Sequence, residues 1–135
     1  MNPDFWGIFH DGHIWKIEGD ISRDITLHIS VLYLREMFSG EGAGFKVYLS
    51  NCELVEYTEY GEEPTQELNT IAERRPEILY VNSTNPIILD CTMGTLKLRY
   101  YSASVFLDSG EPVSYDALVS ACTGYWEVLK RKSYS

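Results

Sequence analysis

Cysteine is scarce in this 135-residue sequence. The three cysteines, Cys52, Cys91 and Cys122, are odd in number and far apart, and there is no C-x-x-C motif. This pattern argues against a disulfide framework and against a cysteine-based zinc site. We predict three reduced thiols that pack as small hydrophobic side chains.

Long apolar runs are absent as well. No stretch approaches the roughly 18 to 20 apolar residues that a membrane-spanning helix requires. Residues 1–13 contain neither the basic nor the apolar segment of a signal peptide. We therefore expect a cytoplasmic protein without a membrane partner.

Basic residues are outnumbered, with 11 Lys and Arg against 20 Asp and Glu and a net charge of −9. The imbalance is concentrated in residues 41–77, where nine Glu face three bases. A nucleic-acid partner would require a basic face. The acidic excess argues against such a partner and favours a basic protein partner.

Alternation of apolar and polar residues predicts strands along most of the chain. The period of two recurs in residues 25–31, 45–49 and 94–108, and further strands are predicted at 14–18 and 86–91. Gly, Asn, Ser and Pro separate these segments at short intervals, as is typical of antiparallel sheets.

Two segments show helical spacing instead. The longer is residues 114–132, with Ser114 as N-cap and these residues on its core face: Leu118, Cys122, Tyr125, Trp126 and Leu129. The shorter is residues 66–75, with Thr65 as cap and Pro76 as terminator.

These patterns predict one domain, residues 1–135, of the α+β class and mainly β. We expect an antiparallel sheet of about seven strands curled into a sandwich or partial barrel, one short inserted helix and one C-terminal helix. Residues 58–64 are the predicted acidic loop, and the glycine-rich stretch 40–44 is predicted to be a flexible connection. The oligomeric state stays open.

A cluster of His10, Asp11 and His13 around Gly12 raises an alternative hypothesis, a small metal-dependent enzyme with His28 as a third imidazole ligand. Pairing the first two strands through their apolar faces argues against it. The expected register puts Trp15 and Ile17 beside Ile25 and Leu27, and His28 opposite Ile14, on the other face from His13. Asp-Gly is also a common turn pair.

No other pattern points to catalysis. There is no G-x-S-x-G motif, and the glycine-rich stretch opens a strand rather than a helix. We therefore predict no catalytic residue and no cofactor, and favour a non-enzymatic protein. The acidic segment combines tyrosine with glutamate, a composition typical of protein contacts. The predicted partner-binding residues are Tyr57, Glu59, Tyr60, Glu62 and Glu63.

The opening "FHDGHIWKIEGDISRDITLHI" resembles that of small bacterial domains among the immunity proteins of polymorphic toxin systems and their uncharacterised relatives. The residues that carry the resemblance are Phe9, His10, Asp11, Ile14, Ile17, Ile25, Leu27 and Ile29. The resemblance implies an antiparallel hairpin at the start of a small acidic binding protein of immunity or antitoxin type, and it assigns no catalytic residue.

Overall fold

Four helices and nine strands alternate along the chain in the computed structural model, which describes the backbone of residues 1–134 and the side chains of residues 1–132. The strands are β1 (His13–Gly19), β2 (Arg23–Ser30), β3 (Gly44–Cys52), β4 (Leu54–Glu59), β5 (Ile78–Thr84), β6 (Ile87–Cys91), β7 (Gly94–Arg99), β8 (Ser102–Leu107) and β9 (Pro112–Val113). The helices are α1 (Phe5–Ile8), α2 (Leu32–Arg35), α3 (Leu68–Arg74) and α4 (Tyr115–Tyr134).

The strands form two separate antiparallel sheets that share one hydrophobic core. Sheet A has the order β1-β2-β3-β8-β9, and sheet B has the order β4-β7-β6-β5. Buried side chains at alternate positions of both sheets belong to the same core cluster. The predicted α+β class is confirmed, with nine strands rather than about seven, and the sheets do not close into a barrel.

The chain passes between the sheets at two short connections. Glu53 alone separates β3 from β4, and only Tyr100 and Tyr101 separate β7 from β8. The Tyr100 hydroxyl accepts a hydrogen bond from Trp6 Nε1 at 2.9 Å, and the Tyr101 N–H donates to the Ser50 carbonyl at 2.9 Å. The segment 94–108, in which one continuous alternation was predicted, is therefore divided at these two tyrosines. It supplies one strand to each sheet.

The register between β1 and β2 differs from the one expected from apolar pairing. Ile17 pairs with Leu27, and His28 lies opposite Lys16 rather than Ile14. A bulge between Ile14 and Lys16 shifts the pairing and leaves Trp15 46 % exposed. A bulge adds one residue to one strand and so changes which side chains face the core, which alternation alone does not predict.

Two short helices were not predicted. α1 buries Phe5 and Trp6 completely, with ring centroids 4.6 Å apart, and α2 buries Leu34 and Arg35. Each helix has only four residues. A single turn shows no helical periodicity in a sequence, so tertiary packing rather than pattern stabilises both.

α3 is shorter than predicted. It begins at Leu68 with Glu67 as N-cap, whereas Thr65 pairs with β4 as an isolated bridge. Its last residue is Arg74, close to the predicted end, because Pro76 disfavours right-handed helical backbone in the residue before it. Ile71 and Ala72 face the core.

α4 agrees with the prediction in its first half only. Ser114 caps it, since its Oγ accepts the Ala117 N–H at 3.1 Å, and Leu118 is fully buried. Trp126 and Leu129 are 53 % and 39 % exposed, so the core face predicted along the whole helix is wrong for its second half. None of the described helices is long and apolar enough to cross a membrane.

Candidate functional site

Residues 58–64, the predicted acidic loop, begin as the end of β4 and then pass beside the β6–β7 hairpin. Thr58 and Glu59 belong to β4, so the loop predicted over residues 58–64 starts two residues later, at Tyr60. The Tyr60 N–H donates to the Met93 carbonyl at 3.0 Å, and Gly61 adopts a left-handed φ of 81°. These features fix the backbone of Tyr60 beside the hairpin and leave its side chain 66 % exposed.

Tyr57 was expected at the surface and lies instead in the core. It is 1 % exposed, on the inner face of β4, and its backbone exchanges two 2.9 Å hydrogen bonds with Thr65. Burial raises the pKa of Tyr57 to about 12. Its expected exposure is wrong because Val55 and Tyr57 occupy alternate positions on the inner face of β4, which places Tyr57 in the core.

The predicted acidic residues differ in their surroundings. Glu59 Oε2 lies 3.5 Å from Arg74 Nη1, and both side chains are about one-third exposed, so this charge is partly neutralised. Glu62 and Glu63 are exposed, and neither makes an ion pair within residues 1–132. The negative potential of the loop therefore comes mainly from Glu62 and Glu63.

Two exposed side chains that the sequence did not single out lie at the same end of sheet B. Tyr80 is 59 % exposed on β5, and Met93 is 57 % exposed in the turn between β6 and β7. Asp90 lies opposite Tyr80 in the β5–β6 pairing and accepts a 3.0 Å hydrogen bond from Asn82. The Asp90 carboxylate raises the pKa of Tyr80, and Tyr60 contributes in the same direction.

We call this surface the Tyr60 patch and define it by these residues: Tyr60, Glu62, Glu63, Tyr80, Asp90 and Met93. Its aromatic, thioether and carboxylate groups come from three separate parts of the chain. Tyr and Met are enriched at protein interfaces, and tyrosine rings also attract Lys and Arg through their π-faces. The patch thus combines groups that pack against apolar side chains with groups that attract cations.

The structure does not bring the histidines together. Each contacts a different carboxylate: His10 lies 3.4 Å from Asp11, His13 lies 3.6 Å from Glu77, and His28 bonds to Glu18. Within the described residues, no three His, Cys, Asp or Glu side chains form a group that could hold a metal ion. The set His10, Asp11, His13 and His28 is therefore not assembled as a common ligand sphere.

The glycine-rich stretch 40–44 is anchored rather than loose. Arg35 is 1 % exposed and donates to the carbonyls of Ser39 and Glu41 at 3.1 and 3.0 Å. Asp108 accepts the Ala43 N–H at 2.8 Å. The expected flexible connection is wrong, because a buried guanidinium supplies donors that bind the loop backbone. The sequence signal for this anchoring was an arginine that directly follows the apolar residues 31–34 and precedes the glycines.

The cysteines are free thiols. Cys52 and Cys91 are buried, whereas Cys122 is half-buried on α4. Burial raises the pKa of Cys52 to about 11 and that of Cys91 to about 12. These two thiols therefore stay protonated at neutral pH and lack the thiolate that nucleophilic catalysis requires.

Comparison with protein-family models, with curated proteins and with solved structures finds no match to this chain.

Proposed function

We propose that this protein is a non-catalytic interaction protein of bacteria that binds a basic protein partner through the Tyr60 patch. Its specific role is that of an immunity or antitoxin factor, which blocks a basic toxin by covering it. The observation that carries the proposal is the convergence of exposed Tyr60, Tyr80 and Met93 with the unpaired Glu62 and Glu63.

Affinity and association rate would come from different parts of the patch. Buried aromatic side chains supply most of the energy of a typical interface, so Tyr60 and Tyr80 are the expected anchors. Glu62 and Glu63 would steer a basic partner during its approach, an effect that salt screens over about 8 to 10 Å. The sign and distribution of charge support this partner class, since nine Glu of residues 41–77 face three bases.

The immunity role is supported by the resemblance of residues 9–29 to immunity-type domains. A cytoplasmic location is proposed with it, and is supported by three free cysteines, which are typical of a reducing compartment. A toxin gene beside the gene for this chain would favour the role.

The decisive experiment locates the partner by site-specific photo-crosslinking in cells. A photoreactive phenylalanine analogue replaces Tyr60 in one variant and Tyr101 in the control, since Tyr101 is 83 % exposed in the β7–β8 connection. We expect one basic protein to crosslink from position 60 and not from position 101. Equal crosslinking from both positions, or none from position 60, would contradict the proposal.

The purified partner then tests the charges. The variant Glu62→Lys with Glu63→Lys is expected to weaken binding by at least about tenfold and to reduce its salt dependence. The control reverses Asp20 and Glu53, two exposed acids at the opposite end of the sheets, with the same change in net charge. Glu59 is left intact because it pairs with Arg74. Equal weakening by both variants would show that only net charge matters, and it would contradict the proposed role of the Tyr60 patch.

A further inference from the structure

A concave site lies on sheet A and shares no residue with the Tyr60 patch. It is a surface cleft of about 260 Å³. The lining residues that matter for a ligand are Trp15, His28, Ser30, Gly44, Arg75 and Asp108. The Tyr60 patch is an exposed surface, whereas this site is concave and is lined by aromatic side chains and one arginine.

The backbone of Arg75 is strained. Arg75 follows α3 with φ 49° and ψ 62°, the left-handed conformation that glycine usually supplies after a helix. Pro76 explains why the helix stops, but it does not explain an arginine at this position. Strained residues of this kind concentrate at functional sites, where a side chain has to be held in one place.

The guanidinium of Arg75 has no binding partner among the described side chains. It makes no hydrogen bond or ion pair with any side chain of residues 1–132, although its neighbour Arg74 pairs with Glu59. Arg75 is exposed where it lines the cleft, so its cation is accessible to an anionic ligand. Its planar fork matches a carboxylate through two parallel hydrogen bonds.

The wall formed by Trp15 supplies an aromatic surface. The β1 bulge turns this ring out of the core, and its centroid lies 5.3 Å from that of His28. His28 is 9 % exposed, and its Nε2 is already bonded to Glu18. The imidazole packs against the indole at an interplanar angle of 57°, and a planar group could stack on the half-exposed indole.

Among the described lining residues of the cleft, Asp108 alone carries a carboxylate, and this carboxylate is paired within the protein. Asp108 Oδ1 accepts from Arg35 at 2.9 Å, and Oδ2 accepts from the backbone of Ala43 and Gly44 at 2.8 and 3.1 Å. Asp108 therefore does not compete for Arg75. The charge that the cleft offers to a ligand is the positive charge of Arg75.

The geometry points to this cleft as a binding site for a small organic carboxylate that carries a planar ring, with Arg75 holding the carboxylate and Trp15 stacking on the ring. Ser30 adds a hydroxyl at the wall. The volume is slightly below the usual range for drug-sized ligands, so the ligand is a small molecule rather than a polymer segment.

Benzoate is the probe for this site, because it combines a ring with a carboxylate. We expect titration with benzoate, followed by nuclear magnetic resonance, to shift the Trp15 indole N–H and the backbone amides of Ser30 and Gly44. Acetate, which lacks the ring, and benzamide, which lacks the charge, are expected to bind at least about tenfold more weakly.

Arg75→Gly tests the cation without threatening the fold, since glycine adopts this backbone conformation freely. It is expected to weaken benzoate binding by at least about tenfold while the melting temperature stays at or above that of the wild type. Arg74→Gln is the matched control, one residue away and outside the cleft, and should bind benzoate like the wild type.

Three results would overturn the site. The first is the absence of benzoate shifts at the cleft residues. The second is equal binding of benzoate, acetate and benzamide, and the third is equal benzoate binding by Arg75→Gly and the wild type. Because none of these measurements involves Glu62 or Glu63, they leave the proposal for the Tyr60 patch unaffected.

Discussion

Arg35 Nε lies 2.9 Å from Asp108 Oδ1, although the two residues are 73 positions apart in the sequence. The side chain of Arg35 is almost fully buried, whereas that of Asp108 is one-third exposed. Their pairing ties α2 and the glycine-rich stretch 40–44 to the end of β8. Asp108 also lines the cleft beside Trp15.

Asp108→Ala should lower the free energy of unfolding by about 2 to 3 kcal/mol, because it leaves the Arg35 charge buried without its partner. The value is below that for a fully buried pair, since Asp108 is partly exposed. Urea denaturation measures it. Glu111→Ala, an exposed acid in the following turn, serves as control and should cost far less.

The contribution of Asp108 should depend on pH in a defined direction. Burial acts to raise its pKa, but the Arg35 guanidinium and the Ala43 and Gly44 N–H groups lower it below its ordinary value overall. Its stabilising effect is therefore complete above the unfolded pKa of about 3.9 and is lost as the pH falls through the lower folded pKa. Unfolding of the wild type and of Asp108→Asn should converge in acid, and a constant gap would be inconsistent with this linkage.

Arg75→Gly should raise the free energy of unfolding by about 1 kcal/mol, since the left-handed backbone costs an arginine more than a glycine. Arg74→Gly is the comparison: it places glycine in the last turn of α3 and removes the ion pair with Glu59, so it should destabilise by about 1 kcal/mol. Thermal unfolding distinguishes the two, and a loss of stability in both variants would contradict the strain at Arg75.

The two halves of α4 should respond differently to truncation. Leu118→Ala removes a fully buried side chain and should cost about 2 to 5 kcal/mol. Trp126→Ala removes a larger side chain that is 53 % exposed, and it should cost less than Leu118→Ala does. Chemical denaturation of both variants decides whether the core extends along the helix, and a larger loss for Trp126 would show that it does.

Thiol labelling should identify Cys122 first. Because burial holds the pKa of Cys52 at about 11 and that of Cys91 at about 12, neither forms much thiolate at mildly alkaline pH. We expect one thiol per chain to react in the native protein and all three after unfolding. Mass spectrometry of labelled peptides identifies the site, and rapid native labelling of Cys91 would indicate that β6 opens readily.

The strands were predictable where one rule decides their structure. Leu27 and Val47 sit at alternate positions of half-buried strands, and the period of two places them in the core whatever the strand order is. Ser114 is comparable, because a helix start depends only on local hydrogen bonds. Tyr57 could have been placed correctly by its alternation with Val55 within β4, but its glutamate neighbours suggested a loop.

The candidate sites were less predictable because they depend on contacts between distant segments. Tyr60 and the adjacent glutamates were found from composition. Tyr80 and Met93 were missed, because only the pairing of β5, β6 and β7 brings them to the same end of sheet B. The cleft was missed entirely, since it requires the bulge at Trp15 and the left-handed backbone of Arg75.

By itself, the sequence determined the class of fold, the acidic character of the surface and the identity of most core positions, because side-chain periodicity and net charge are properties of local sequence. Only the tertiary structure decided which exposed groups lie side by side, where Arg35 finds its carboxylate and which way Trp15 faces. Those outcomes follow from strand register and chain crossing, in which a shift of one residue reverses the face of every side chain beyond it.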